Sequence, residues 1–174
     1  MTPHAWSSDA TSVPNAAQLS TAEAPLLKVL NQFSSASKLP YLKILLDHGL
    51  TGPVLQEHVE NYAHLTPWLE AINHHVILEN NPENLQRWGQ LTSALMHRLD
   101  ALPTLPMTQI LQWLTVLNTP DYEALGLFSL SKSPPPLSPD SAHRLVELGV
   151  LKTDGSALTP QAQTFLELLQ TGTL

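Results

Sequence analysis

The sequence of 174 residues contains no cysteine. A disulfide, a zinc site with thiolate ligands and a cysteine nucleophile are therefore excluded. Glycine is also scarce, and its seven residues mostly stand where predicted helices stop. The sequence has no GxSxG, GxxxxGK or dinucleotide-binding fingerprint. The acyl-transfer, nucleotide-hydrolysis and hydride-transfer reactions that use these motifs therefore have no support.

The fraction of charged residues is also low. They make up 13% of the sequence, about half the usual share, whereas hydrophobic residues make up 43% and suffice for a core. The formal net charge is −7, which opposes non-specific binding to nucleic acid or to an anionic membrane. A neutral polar surface with so few charges favours partial burial by a protein partner.

Long hydrophobic runs are missing as well. No apolar run reaches the length of a transmembrane helix, and the N-terminus lacks the basic-then-apolar order of a signal peptide. We therefore expect a cytoplasmic protein without membrane contact. Residues 1–19 are rich in Ser, Thr, Ala, Pro and Asn, a composition that predicts a flexible tail.

Proline is abundant, and most of the 15 prolines mark helix starts. Proline fits the first helical turn, where no backbone N–H donor is needed. The predicted starts are Pro40, Thr51-Gly52-Pro53, Thr66-Pro67, Asn81-Pro82, Pro106 and Thr119-Pro120, the last opening a short helix that ends at Gly126. Residues 131–137 contain three consecutive prolines and predict a stiff linker.

An amphipathic helix is predicted before these, opened by Ser20 or Thr21 together with Glu23. Its apolar side chains recur at helical spacing: Leu26, Leu27, Leu30 and Phe33. Because short loops between consecutive helices favour antiparallel neighbours, residues 20–130 predict a helical bundle. Trp68, Trp88 and Trp113 are predicted to pack in the core.

The C-terminal residues 138–174 predict a helix, a hairpin and a second helix. Ser138 and Pro139 supply the N-cap and the first helical position. Asp154-Gly155 is the strongest short hairpin signal, and Thr159-Pro160 repeats the cap for the last helix. Over residues 138–171 this order resembles the second half of a winged-helix domain. It is also similar to the winged-helix dimerisation segment that precedes the glycine-rich cofactor-binding domain of many small-molecule O-methyltransferases, although we expect no methyl transfer here.

A winged helix that reads DNA needs clustered Lys and Arg to neutralise phosphates. From residue 131 onward the basic residues are Lys132, Arg144 and Lys152, and four acidic residues oppose them. We therefore favour a packing or dimerisation segment and do not expect nucleic acid as a partner. A DNA-binding regulator stays open as an alternative, and its complex would weaken when Arg144 or Lys152 is neutralised.

A histidine-rich acidic region lies between Lys43 and Arg87, where the sequence has no Lys or Arg. Helical spacing places Glu60 with His64, and Glu70 with His74, one turn apart on polar faces, where each pair could supply two metal ligands. His58 and His75 lie on or beside apolar faces and could meet inside the bundle. The candidate metal ligands are therefore His58, His64, His74, His75, Glu60 and Glu70.

Each of these residues could also have a purely structural role. The two Glu–His pairs fit a solvated polar face, and His58 and His75 fit core histidines with satisfied hydrogen bonds. The sequence has neither HExxH nor the paired ExxH of di-iron bundles. No cofactor is predicted.

The sequence thus predicts an all-α protein, mostly a helical bundle, with a winged-helix-like C-terminal end. The function we expect is non-enzymatic protein–protein interaction, as an adaptor, assembly factor or regulatory subunit that binds a protein partner or a second copy of itself. The helix spacing of residues 47–72 is similar to that of heme-oxygenase-like bundles. The ligand motifs of those bundles are not found here, and the resemblance assigns no residues. The histidines of residues 58–75 leave a metal- or heme-dependent oxidase open as an alternative.

Overall fold

A computed structural model of the chain describes residues 38–130 and 137–172. The prediction of an all-α protein is confirmed, because these residues are mostly helical. The elements are α1 (Leu39–Asp47), α2 (Gly52–Asn61), α3 (Leu65–Leu78), α4 (Pro82–Met96), a 3-10 helix (Leu99–Thr104), α5 (Met107–Val116), α6 (Thr119–Leu130), α7 (Pro139–Glu147) and α8 (Pro160–Thr171). The predicted tail over 1–19, the first predicted helix and the linker residues 131–136 lie outside the described residues.

Proline stands in the first turn of α1, α2, α4 and α7, as the sequence predicts. Side-chain caps support two of these starts. The side chain of Asn81 accepts a hydrogen bond from the backbone N–H of Glu83, and the Ser138 hydroxyl accepts one from the backbone N–H of Ser141. These caps satisfy amide donors that a helix start leaves without a partner.

The predicted end of a helix at Gly126 is wrong. Helix α6 continues to Leu130, and Gly126 keeps an ordinary helical conformation with open space around it. A glycine inside a helix costs about 1 kcal/mol relative to alanine. The helix nevertheless continues for four residues after Gly126. By contrast, Gly149 follows α7 with a φ of 77°, the left-handed conformation expected after a helix end.

The chain forms two compact units. Of the described residues, 38–105 with 171–172 form the first, and 106–130 with 137–170 form the second. Helices α1–α4 therefore belong to the first unit, and α5–α7 with most of α8 belong to the second. The predicted boundaries of the bundle at 20–130, of the linker at 131–137 and of the C-terminal segment at 138–174 stay predictions.

In the first unit, α1 packs closely on α4. A Cβ added to Gly89 of α4 would lie 2.7 Å from the Ile44 Cβ and 3.0 Å from the Tyr41 carbonyl oxygen. The buried Tyr41 hydroxyl lies 3.2 Å from Thr92 Oγ1, and the Thr92 hydroxyl donates to the Trp88 carbonyl at 2.9 Å. Burial raises the pKa of Tyr41 to about 12, against the opposing effect of its hydrogen bond with Thr92.

The second unit has an aromatic core. The rings of Trp113 and Phe165 lie 5.4 Å apart, and the ring of Tyr122 lies 6.2 Å from that of Phe165. The Trp113 indole N–H donates to the Leu148 carbonyl at 2.7 Å, which fixes α5 against the end of α7. The predicted burial of Trp68, Trp88 and Trp113 is confirmed.

A tight turn joins α7 to α8. Leu151 and Leu158 form an isolated antiparallel bridge, and no strand occurs among the residues that the structure describes. At the tip, the Asp154 carboxylate accepts hydrogen bonds from the Ser156 hydroxyl at 2.6 Å and the Ser156 backbone N–H at 3.0 Å. These bonds lower the pKa of Asp154. Gly155 has a φ of 70°, which glycine adopts without strain.

None of the helices in the described parts of the chain combines the length and the hydropathy needed to cross a bilayer.

The close approach of α1 and α4 makes Gly89 sensitive to substitution. We expect Gly89→Ala to lower the free energy of unfolding by about 1–3 kcal/mol, because the added methyl group forces α1 and α4 apart. Urea unfolding followed by tryptophan fluorescence measures this change. Gly126→Ala is the control, and it should raise stability by about 0.5–1 kcal/mol because its methyl group meets open space. A Gly89→Ala protein as stable as the wild type would contradict the packing described.

Candidate functional site

The predicted metal ligands are spread over α2 and α3 and the residues around them. His64, His74, Glu60 and Glu70 are exposed, whereas His58 and His75 are half-buried. Across residues 38–130 and 137–172, no group of three or more His, Cys, Asp or Glu side chains is placed to hold a metal ion. The described geometry therefore adds nothing in favour of a metal site, which stays a prediction.

His75 has an aromatic environment that the sequence did not reveal. Its imidazole stacks on the Trp88 indole with ring centroids 5.0 Å apart and an interplanar angle of 8°. The ring of His74 approaches it edge-on at 6.0 Å. Burial lowers the pKa of His75, and the neighbouring His74 lowers it further because two positive charges repel each other.

The lowered pKa of His75 links stability to pH. Between the folded-state pKa and the unfolded-state value near 6.5, the unfolded chain binds more protons, so the free energy of unfolding rises with pH. We expect His75→Gln to flatten this dependence in urea unfolding between about pH 5 and pH 7. His97→Gln is the control, since His97 is exposed, and it should keep the wild-type slope. An unchanged slope in His75→Gln would refute this assignment.

Arg144 is the basic residue of α7, and its guanidinium donates to the Asp121 carboxylate at the start of α6. The Asp121 side chain is 7% exposed and that of Arg144 is 40% exposed. The same carboxylate accepts the Asn118 backbone N–H at 2.9 Å, while the Asn118 side chain accepts the Asp121 backbone N–H at 3.1 Å. These two hydrogen bonds between Asn118 and Asp121 form a cap at the start of α6. Arg144 thus joins α7 to this cap.

The exposed face of α7 is acidic in consequence. It carries Asp140, His143 and Glu147, and the His143 imidazole lies 3.2 Å from the Glu147 carboxylate. The described residues of the second unit contain two basic residues, Arg144 and Lys152, against six acidic ones. A phosphate backbone would therefore meet negative potential at this face.

Each of the two units also exposes some large apolar side chains. Among the described residues the large ones are Leu39, Ile77, Leu78, Val116 and Leu127. We did not predict from the sequence that these side chains are exposed. Ile77 and Leu78 follow the buried Val76 at the end of α3, and this unbroken apolar run is a signal that could have found them, because an amphipathic helix buries one face.

No protein-family model, curated protein or solved structure matches the chain. The function is therefore inferred from the contacts and charges of the residues themselves.

The ion pair of Arg144 with Asp121 gives a direct test of the second unit. We expect Arg144→Gln to lower the free energy of unfolding by about 1–3 kcal/mol, because the buried carboxylate of Asp121 loses a charged donor. Urea unfolding followed by circular dichroism measures the change. Lys152→Gln is the matched control; its side chain is exposed, so stability should stay within about 0.5 kcal/mol of the wild type. Equal stability of the two variants would show that Arg144 does not hold α7 to α6.

Proposed function

We propose that the chain is a non-enzymatic protein–protein interaction module. The observation that carries the proposal is the engagement of Arg144 by the buried carboxylate of Asp121. This contact pairs the half-exposed basic side chain of α7 with a buried carboxylate of α6, and the other charged groups exposed on α7 are acidic. A helix with that surface is suited to contact with protein and not to contact with phosphate.

The order of elements over residues 138–171 supports the winged-helix-like C-terminal end that we propose from the sequence. Helix α7, the turn carrying the Leu151–Leu158 bridge and helix α8 follow one another in the expected order. In this interpretation α7 occupies the position of a recognition helix. Its acidic face favours a module that packs against protein over the alternative of a DNA-binding regulator.

Val116 and Leu127 support a protein partner for the second unit. They are 41% and 51% exposed, on α5 and α6, in a unit with few charged residues. Apolar side chains and few charges are typical of the buried core of a protein interface. A second copy of this chain is the simplest partner, and an adaptor, assembly factor or regulatory subunit in the cytoplasm is the role we propose.

The oxidase alternative has less support. It requires that histidines of residues 58–75 converge on one metal or heme, and the described part of the chain brings no three candidate ligands together. His75, one of these histidines, stacks on Trp88, a contact that packing alone explains.

Light scattering coupled to size exclusion tests the proposal on the full chain. We expect a mass above the 19.1 kDa of one chain at micromolar concentration. Leu127→Asp should weaken self-association about tenfold or more, because burying a carboxylate in an apolar interface costs well over 1.4 kcal/mol. Gln163→Asp is the control; it adds the same charge at an exposed polar position of α8 and should leave the mass unchanged.

A monomer at every concentration, with a salt-sensitive complex on duplex DNA, would overturn the proposal. The DNA-binding alternative requires that neutralising Lys152 weaken this complex. The affinity of that variant for DNA should also depend less on salt than the affinity of the wild type. Absence of DNA binding at low salt together with self-association would support the interaction module.

A further inference from the structure

The tip of the turn between α7 and α8 contains a chemically labile linkage, Asp154-Gly155. In an Asp-Gly pair the backbone nitrogen of the glycine can attack the side-chain carboxyl carbon of the aspartate, because glycine has no side chain to shield that nitrogen. The sequence has no other Asp-Gly pair and no Asn-Gly pair. The turn therefore contains the one linkage of this reactive type in the chain.

The reaction at such a linkage is an isomerisation. The Gly155 nitrogen forms a bond to the side-chain carboxyl carbon of Asp154, and the amide proton leaves with the carboxyl hydroxyl group as water. The product is a cyclic succinimide. Water then opens the ring at either carbonyl, which returns aspartate or gives isoaspartate, whose main chain runs through the side-chain carboxyl carbon. One water leaves and one enters, so no oxidant or cofactor is needed.

The folded turn engages the attacking nitrogen in a hydrogen bond. The Gly155 backbone N–H donates to the Lys152 carbonyl at 2.7 Å. Attack by the Gly155 nitrogen requires the loss of this hydrogen bond, since the amide proton has to leave. The neighbouring Lys152 backbone N–H donates to the Ala157 carbonyl at 2.9 Å, which closes the turn behind this bond.

The folded turn also stabilises the unreactive form of the carboxyl group. The Asp154 carboxylate accepts hydrogen bonds from the Ser156 hydroxyl at 2.6 Å and from the Ser156 backbone N–H at 3.0 Å. Both donors favour the ionised carboxylate, whereas ring closure needs the protonated carboxyl group, from which water can leave. The same two bonds lower the pKa of Asp154. The exposed carboxyl group is thus kept in the form that does not close the ring.

Isoaspartate would also disturb the pairing that the turn supports. It adds one carbon atom to the main chain between Leu151 and Leu158, which form the antiparallel bridge. Extra main-chain length on one side of a pairing disrupts its hydrogen bonds locally. The bond from the Lys152 N–H to the Ala157 carbonyl lies inside the lengthened loop. The folded turn therefore disfavours the product as well as the reaction.

We propose that Asp154-Gly155 is a site of spontaneous isoaspartate formation that the folded turn keeps unreacted, and that the Ser156 hydroxyl is the side chain that protects it. The linkage reacts when the turn opens, so the modification marks chains that have spent time unfolded. The proposal goes beyond the proposed function and does not depend on it, because these hydrogen bonds lie within one chain.

The sequence allows the modification to be measured at this position alone. Trypsin cleaves after Lys152, the last Lys or Arg of the chain, and releases residues 153–174 as one peptide. Asp154 is the only Asp in that peptide, which contains no Asn. Methylation of the peptide by a protein isoaspartyl methyltransferase, or its chromatographic separation from the unmodified peptide, therefore quantifies isoaspartate at Asp154.

The test incubates the full chain at mildly acidic pH, folded in buffer and unfolded in guanidinium chloride. We expect isoaspartate to form at Asp154 about tenfold faster or more in the unfolded chain, because the hydrogen bonds to the ionised carboxylate are lost. The folded Ser156→Ala variant should react about threefold faster or more than the folded wild type, since it loses one of the two donors.

Ser156→Thr is the matched control, because it keeps the hydroxyl group and should react at the wild-type rate. Ser156 is exposed, so both variants should keep the urea midpoint of the wild type, which separates local opening of the turn from global unfolding. Equal rates in the folded and unfolded wild type would overturn the proposal. A Ser156→Ala rate equal to that of the wild type or of Ser156→Thr would overturn the role of the hydroxyl.

Discussion

The carboxylate of Asp121 is almost excluded from solvent and is held by two donors, the guanidinium of Arg144 and the backbone N–H of Asn118. A carboxylate removed from water is strongly unfavourable unless an opposite charge and hydrogen bonds compensate. The folded second unit therefore needs Arg144 where it lies. This requirement joins α6 to α7, and it also affects the charge that α7 presents to solvent.

The rest of the second unit is arranged around this junction. The Trp113 indole ties α5 to the carbonyl of Leu148 at the end of α7, and its ring packs on Phe165 of α8. The bridge between Leu151 and Leu158 returns the chain to α8. The ion pair of Arg144 with Asp121 thus has two effects. It holds α7 against α6, and it pairs the arginine of α7, so that the exposed face of the helix is acidic.

Much of the fold could be predicted from local signals. Proline and its preceding cap residues specify the starts of α1, α2, α4 and α7, because both act within one helical turn. Gly149 was predictable in the same way. Gly126 was not, because its helical conformation depends on the residues that follow it, and sequence spacing alone does not distinguish a stop from a tolerated glycine.

The candidate site was less predictable because its contacts are distant in sequence. Asn118 and Asp121 form a local cap that spacing could have revealed, but the partner Arg144 comes 23 residues later. The same holds for His75, whose stacking on Trp88 depends on how α3 and α4 pack. Helical periodicity predicts the face of the helix on which a residue lies. It does not predict which side chain of another helix that residue contacts.

We propose that this chain acts by binding protein, and we expect it to hold no redox centre. Elemental analysis with an absorption spectrum, made on the untagged full chain, tests it most directly. The account predicts a protein without stoichiometric metal and without a visible absorption band. Stoichiometric iron or a heme band would contradict it, and would move the function to the histidines of residues 58–75.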